Sequence, residues 1–253
     1  MSIVVGLLVG SAAGLLAGIL GLGGGVLIPP LLSLLLGLDQ HAAQAASLAA
    51  LLPPVGYPAL AGYRKHGVKI PWRLVSWLVA SFALGGALGG AVAQFIPARP
   101  LRWAFTAVLL GVALRTVFLA RRPPLDDGAE SGARTGFFPA AAIGGLGGAV
   151  SGLFGIGGGV IILPLLQRWA RLDRLTAQVT TLAMMLFPIG LPAVAVYALA
   201  NPPPWTLLVA VASGFVLGAW VGGRVAPRVP HALAGYLFAA VTVFAAVMMM
   251  LKG

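Results

Sequence analysis

Residues Gly18 to Leu32 read GILGLGGGVLIPPLL, and residues Gly152 to Leu166 read GLFGIGGGVIILPLL. The likeness continues without a gap. Leu38-Asp39 pairs with Leu172-Asp173, Gln44 with Gln178, Pro54 with Pro188, Pro58 with Pro192 and Tyr63 with Tyr197. After a one-residue slip, Pro71-Trp72 pairs with Pro204-Trp205, Gly89-Gly90 with Gly222-Gly223 and Pro97 with Pro230. A duplication on this scale constrains the architecture before any single motif is read. It divides the chain into a first repeat at 1–120, a polar linker at 121–134 (RRPPLDDGAESGAR) and a second repeat at 135–253.

Both repeats are too apolar for water. Of 253 residues, 60% are hydrophobic and only 8% charged, with a mean hydropathy of +1.01, whereas soluble domains carry about a quarter charged residues. Several apolar runs exceed the roughly 20 residues a helix needs to cross hydrocarbon. The formal net charge of +11 raises nucleic acid as a partner. The cations stand at the ends of apolar runs, however, where Lys and Arg set orientation and meet anionic headgroups. The chain has no cysteine, which removes disulfides and thiolate metal sites. His41, His66 and His231 are scattered without ligand spacing, so no metal site is expected. Met1–Gly18 lacks a basic n-region and has a counterpart in mid-chain, so it reads as mature structure and not as a signal peptide.

Each half predicts the same helical series. An apolar segment interrupted by glycines (3–20 and 26–36; 135–154 and 160–170) is followed by three helices, near 41–62, 72–96 and 101–120, matched near 175–199, 205–226 and 231–251. If the interrupted segment is a hairpin, each half makes an odd number of further crossings and the second half is inverted. That arrangement gathers Arg64–Arg73, Arg121–Arg134, Arg168–Arg174 and Arg224–Arg228 on one side, leaving Arg99, Arg102 and Lys252 on the other. Parallel halves would divide the cations almost evenly, so the positive-inside rule selects inversion. The expected fold is an all-α polytopic membrane protein of two inverted-topology repeats. Each repeat is a glycine-broken helical hairpin plus three transmembrane helices, with both termini outside and a cytoplasmic linker. Transporters often have this architecture, with substrate bound near the midplane between broken helices.

The chemistry is expected at the breaks. Three consecutive glycines cost a helix about 1 kcal/mol each relative to alanine, so helix should stop at Gly23, Gly24 and Gly25 and at Gly157, Gly158 and Gly159. Non-helical backbone survives at membrane depth only where it is buried in protein or lines a wet cavity. Short helices restarting near Val26 and Val160 would present unpaired N–H groups and a positive dipole end, which attract anions. Glycine lets an oxygen approach such backbone without meeting a Cβ. A cradle of this kind avoids burying an arginine at the midplane. The glycines at 85, 86, 89 and 90, and at 214, 218, 222 and 223, read instead as helix-packing residues. A nucleotide-binding loop is disfavoured, because the run lacks the Lys-Ser/Thr that a P-loop requires.

Polar residues in the apolar runs are few. Gln44 with Ser47, and Gln178 with Thr181, lie three apart and so share a helix face. With Thr180 they are candidate donors to an anion, the alternative being hydrogen bonds between helices. Asp39 and Asp173 stand where an N-cap would, with proton coupling as their other candidate role. No carboxylate lies inside an apolar span, and no Ser/His dyad or carboxylate pair suggests an enzyme.

The paired G-x-G-G-G segments, Gly21–Pro30 and Gly155–Pro164, resemble those of the sulfite exporter TauE/SafE family. So do the Ala/Gln-rich helix from His41 and the Thr-Thr-Leu at Thr180–Leu182. The resemblance covers nearly the whole chain. It implies an integral protein of the bacterial inner (plasma) membrane that transports sulfite, a related sulfur oxyanion or organosulfonate, or a small organic acid. Members usually carry Thr-Ser-Leu in both second helices, whereas this chain has Ala46-Ser47-Leu48 in the first, one hydroxyl fewer. The expected function is secondary transport of a small anion without a cofactor, an anion channel or uniporter of the same fold being the alternative. The expected partners are that sulfite- or sulfonate-class anion and the lipid bilayer, with room for a homodimer and no nucleic acid.

Overall fold

The computed structural model describes residues 2–20, 25–54, 57, 60, 69–120, 136–200 and 204–251. The helices are α1 (Ser2–Leu20), α2 (Ile28–Leu36), α3 (Gln40–Ala50), α4 (Trp72–Phe95), α5 (Ala98–Ala120), α6 (Phe137–Phe154), α7 (Gly159–Arg168), α8 (Arg174–Met184), α9 (Leu191–Ala200), α10 (Trp205–Val225) and α11 (His231–Leu251). Among the described residues there is no strand. Five helices among the described residues, α1, α4, α5, α6 and α10, are long and apolar enough to cross a membrane. Large apolar side chains such as Leu84, Leu88, Phe95, Phe138 and Leu217 point outward, as lipid-facing residues do.

A helix break falls at the second glycine run. In the second repeat α6 ends at Gly155, whose φ of +68° is left-handed. Its N–H donates to the Ser151 carbonyl at 2.7 Å, closing the last turn. In the first repeat a 3-10 turn (Gly25–Leu27) leads into α2. Gly21, Gly23 and Gly24 lie outside the described residues.

The second segment of each half departs from the sequence expectation. Single helices were expected over 41–62 and 175–199; α3 instead ends at Ala50 and α8 at Met184, with non-helical backbone at Leu51–Pro54 and Met185–Gly190. Pro53-Pro54 and Pro188 supply the reason, since proline lacks an N–H and its ring strikes the carbonyl four residues back. The second repeat therefore carries two interrupted segments.

Two seams hold the halves together, and each takes one helix from each repeat. Along α1 and α10, Gly6 faces Leu207 and Val211, Gly10 faces Val211 and Phe215, and Gly18 faces Ala219 and Gly223, so the helices run parallel. Along α4 and α6, Leu78 faces Gly144, Phe82 faces Gly148, and Gly86 with Gly90 faces Gly152, again in parallel. These are the most extensive helix pairings in the molecule. Because α6 repeats α1 and α10 repeats α4, each seam is the counterpart of the other. Backbones meet directly: a Cβ on Gly14 would strike the Phe215 carbonyl, and one on Gly148 the Phe82 carbonyl. The packing role expected of the glycines in α4 and α10 holds at Gly85, Gly89, Gly214, Gly218 and Gly222. A Cβ on Gly86 or Gly90 would make ordinary contact, and one on Gly223 would meet open space, although their backbones lie in the seams.

This seam chemistry yields a paired test. Gly148→Ala should cost on the order of 1–3 kcal/mol by overpacking, read as a lower melting temperature in detergent. Gly111→Ala, which meets nothing within 4 Å, should leave stability unchanged or raise it by about 0.4–1 kcal/mol.

Candidate functional site

Both interrupted segments of the second repeat converge on α3 of the first. The Gly155 position packs against the backbone of Gln44, where a Cβ would lie 2.9 Å from its Cα. One turn on, the Ser47 hydroxyl lies 2.8 Å from the Gly25 carbonyl oxygen and 2.6 Å from the Gly155 carbonyl oxygen. Its single proton is shared between carbonyls of the two repeats. Gln44 is also held across the repeats, because the Tyr197 hydroxyl stands 2.8 Å from Gln44 Oε1 and 2.9 Å from the Gly152 carbonyl. Gln44 and Ser47 are wholly buried. The Gln44 Nε2 has no partner.

Beside these contacts lies a cavity of about 10 Å³, lined by Ser151, Gly157, Gly158, Gly190, Leu48 and Leu51 among others. That is space for about one water. Its walls come from α3, from the α6–α7 break and from the Met185–Gly190 interruption. The Ser151 hydroxyl on this wall is 1% exposed and has no partner. Gly157 has a φ of +67°. Gly158 packs closely against Phe82 and Met184, at 2.8 and 3.0 Å from an added Cβ, and Gly25 against Leu51 at 2.8 Å.

The two restarting helix ends are unequal. Helix α7 opens at Gly159, with Gly158 as N-cap and no side-chain cap bond, so its leading N–H groups have no partner within the helix. Helix α2 opens Ile28-Pro29-Pro30, and its prolines bring no N–H to the first turn.

The remaining sequence candidates are placed as follows. Thr180 and Thr181 are buried, and their hydroxyls donate to the carbonyls of Thr176 and Ala177 one turn back, at 2.6 and 2.8 Å. Gln178 is half-buried. Both threonine protons thus stay within their own helix in this conformation. Asp39 and Asp173 are N-caps, accepting from the N–H of Ala42 at 2.7 Å and of Thr176 at 3.0 Å. Burial raises the Asp173 pKa, but hydrogen bonds from Thr176 and neighbouring backbone outweigh it and leave the carboxyl below its ordinary value. A depressed folded value means that the cap stabilises fully at neutral pH and fades as pH falls through the carboxylate range. Sequence reasoning missed Ser151 and the Tyr197–Gln44 bond. The signal available for the bond was the matched Tyr63/Tyr197 and Gln44/Gln178 pairs; Tyr63 lies outside the described residues. Among those residues, no group of His, Asp or Glu could hold a metal ion.

A helical membrane protein whose two repeats meet at interrupted, apolar-clad backbone has the form of a transporter. The chain belongs to the sulfite exporter TauE/SafE family, which matches residues 6–249. It is 28% identical over 230 residues to a probable membrane transporter protein of Xylella fastidiosa (strain 9a5c), across 90% of this chain and 86% of that protein. It is 28% identical over 220 residues to the probable membrane transporter protein YdhB of Bacillus subtilis (strain 168), across 86% and 87% respectively. No solved structure matches. The chain is a membrane transporter and not an enzyme, an integral protein of the bacterial plasma membrane.

Two outcomes follow from the site geometry. Ser47→Ala should destabilise the purified protein by about 1–3 kcal/mol, because it strips buried carbonyls of their donor. Thr181→Val should cost less than about 1 kcal/mol, since the carbonyl it frees already accepts within the helix. Thermal unfolding in detergent reads both. Asp39→Asn and Asp173→Asn should preserve the caps, whereas the alanine variants should each cost about 0.5–2 kcal/mol. If either carboxylate carried a coupling proton, its asparagine variant would lose any response of flux to a pH gradient.

Proposed function

We propose that this protein is a secondary transporter of a small sulfur oxyanion or organosulfonate, bound between the repeats at the paired breaks. The observation that carries the reading is the small cavity between α3 and the α6–α7 break. There Gly157, Gly158 and an unpartnered Ser151 hydroxyl face the first repeat. Backbone N–H groups at the start of α7 supply the positive potential for an anion. Gln44 and Ser47, with Gln178, Thr180 and Thr181 of the matching helix, are the polar side chains proposed to reach the anion once the site opens. In this conformation the cavity admits a water but no oxyanion, so binding requires α3 and the α6–α7 break to part. A site this tight favours a carrier over an open anion channel.

Inversion of the second repeat belongs to the proposal, and the helix directions support it. Helix α3 starts beside the end of α4, His41 Nε2 donating to the Ala93 carbonyl at 3.0 Å. It also starts near the end of α9, with the His41 and Tyr197 rings 6.4 Å apart. Helix α10 follows α9 after residues 201–204, and α1 runs alongside α10. Helix α1 therefore starts where α4 finishes. Helix α6, the repeat of α1, runs alongside α4 and starts where α4 starts. An in-plane pseudo-two-fold axis relates such halves.

Proteoliposome flux over sulfite, sulfate, thiosulfate, sulfoacetate and small carboxylates tests the substrate class, and saturable sulfite or sulfonate flux with counterflow is expected. Ohmic conductance without counterflow would favour the channel. Gly25→Val and Gly159→Val should each abolish flux while the protein remains extractable and monodisperse. Single cysteines at positions 68 and 202 should label from opposite sides, and labelling from one side would end the inverted arrangement.

A further inference from the structure

A larger cavity, about 300 Å³, lies at the other end of α3, lined by Ser33, Gly37, Asp39, Gln40, Arg99 and Arg102 with apolar neighbours. Gln40 is 3% exposed, and neither its Nε2 nor its Oε1 has a partner. Burying a primary amide unpaired is costly, so a ligand that bonds to it recovers stability. Arg99 and Arg102 stand three apart in the first turns of α5 and so share a face. Among the described residues neither is ion-paired. Asp39 is the acid on the lining, and its Oδ1 already accepts the Ala42 N–H. The lining therefore carries a net positive charge. Gly37, at φ +67°, has nothing within 4 Å of a Cβ position, which leaves that side open.

We propose that this cavity is an anion-capture site at one mouth of the transporter, in which Arg99, Arg102 and the Gln40 amide hold an oxyanion head. Guanidinium groups suit sulfite, a sulfonate or a phosphate, whose oxygens accept paired N–H bonds. Its place in transport rests on the function proposed above. Gln40, Gln44 and Ser47 lie on one face of α3 at four- and three-residue steps, all buried. They form a polar line from the capture site to the Gly25 and Gly155 carbonyls. In the sequence the repeat counterparts of Arg99 and Arg102 are Ala232 and Gly235, and that of Gln40 is Arg174, so the set Gln40, Arg99 and Arg102 occurs in the first repeat only.

The test uses the full-length, delipidated protein and calorimetric titration with sulfite and with methanesulfonate. Both should bind, and Arg99→Ala with Arg102→Ala should raise the dissociation constant about tenfold or more, as loss of charge-assisted bonds implies. Arg99→Lys with Arg102→Lys should retain much of the affinity. An unchanged constant in the alanine pair overturns the proposal. If that pair is not monodisperse, Gln40→Leu carries the test, with a several-fold rise expected and no change overturning it. A phosphate headgroup offers the same chemistry, so native mass spectrometry with phosphatidylglycerol runs in parallel. Retained lipid that is lost in the alanine pair, with no binding of the free anions to the parent, overturns capture and makes the cavity a lipid seat. Binding that behaves as expected, in a protein whose proteoliposomes move no sulfite, upholds the site and defeats the transport reading.

Discussion

Interrupted backbone at membrane depth must find its hydrogen-bond partners inside the protein, because lipid offers none. In this chain the Ser47 hydroxyl meets that constraint for both repeats at once, between the carbonyls of Gly25 and Gly155. Tyr197 does similar work one step away, reaching both Gln44 and the Gly152 carbonyl. The breaks of one repeat are thus capped by side chains of the other or of a neighbouring segment. Neither half could expose its glycine run alone without leaving polar groups uncovered.

The glycine seams explain how α3 and the breaks come close enough for a single hydroxyl to span them. Without hydrophobic drive between helices in lipid, close backbone packing supplies the attraction. Gly10, Gly14 and Gly18 on α1, and Gly144, Gly148 and Gly152 on α6, let each helix rest on a partner from the opposite repeat. In the function proposed above, these seams stay as rigid pairs while the short helices α2, α3, α7, α8 and α9 move about them. Side chains in well-packed interiors favour discrete arrangements over continuous deformation, which suits a site that alternates between closed and open.

Much of this was legible in the sequence. The repeat, the glycine breaks and the caps at Asp39 and Asp173 all follow from local chemistry: backbone entropy, proline's missing donor and the N-cap oxygen. Seam glycines on α4 and α10 were recognisable from their spacing. The proline interruptions after α3 and α8 were misread as continuous helix, because proline is often absorbed in transmembrane helices as a kink. The Ser47 bridge and the Tyr197–Gln44 bond were illegible for a different reason. Each joins residues of opposite repeats, at separations of 108 and 153 positions, and no local pattern states which helix a hydroxyl will meet. The unequal hydroxyl supply of the two second helices was visible, but that the threonine protons would return to their own helix was not.

The central claim is that backbone amides at the restart of the broken helix hold the anion. Hydrogen exchange read by mass spectrometry, on purified protein with and without saturating sulfite, addresses those amides directly. The account expects slowed exchange at Gly157–Ile161 on adding sulfite, with the α1–α10 and α4–α6 seams unchanged. Protection confined to other segments, or none at Gly157–Ile161 under saturating anion, would contradict it.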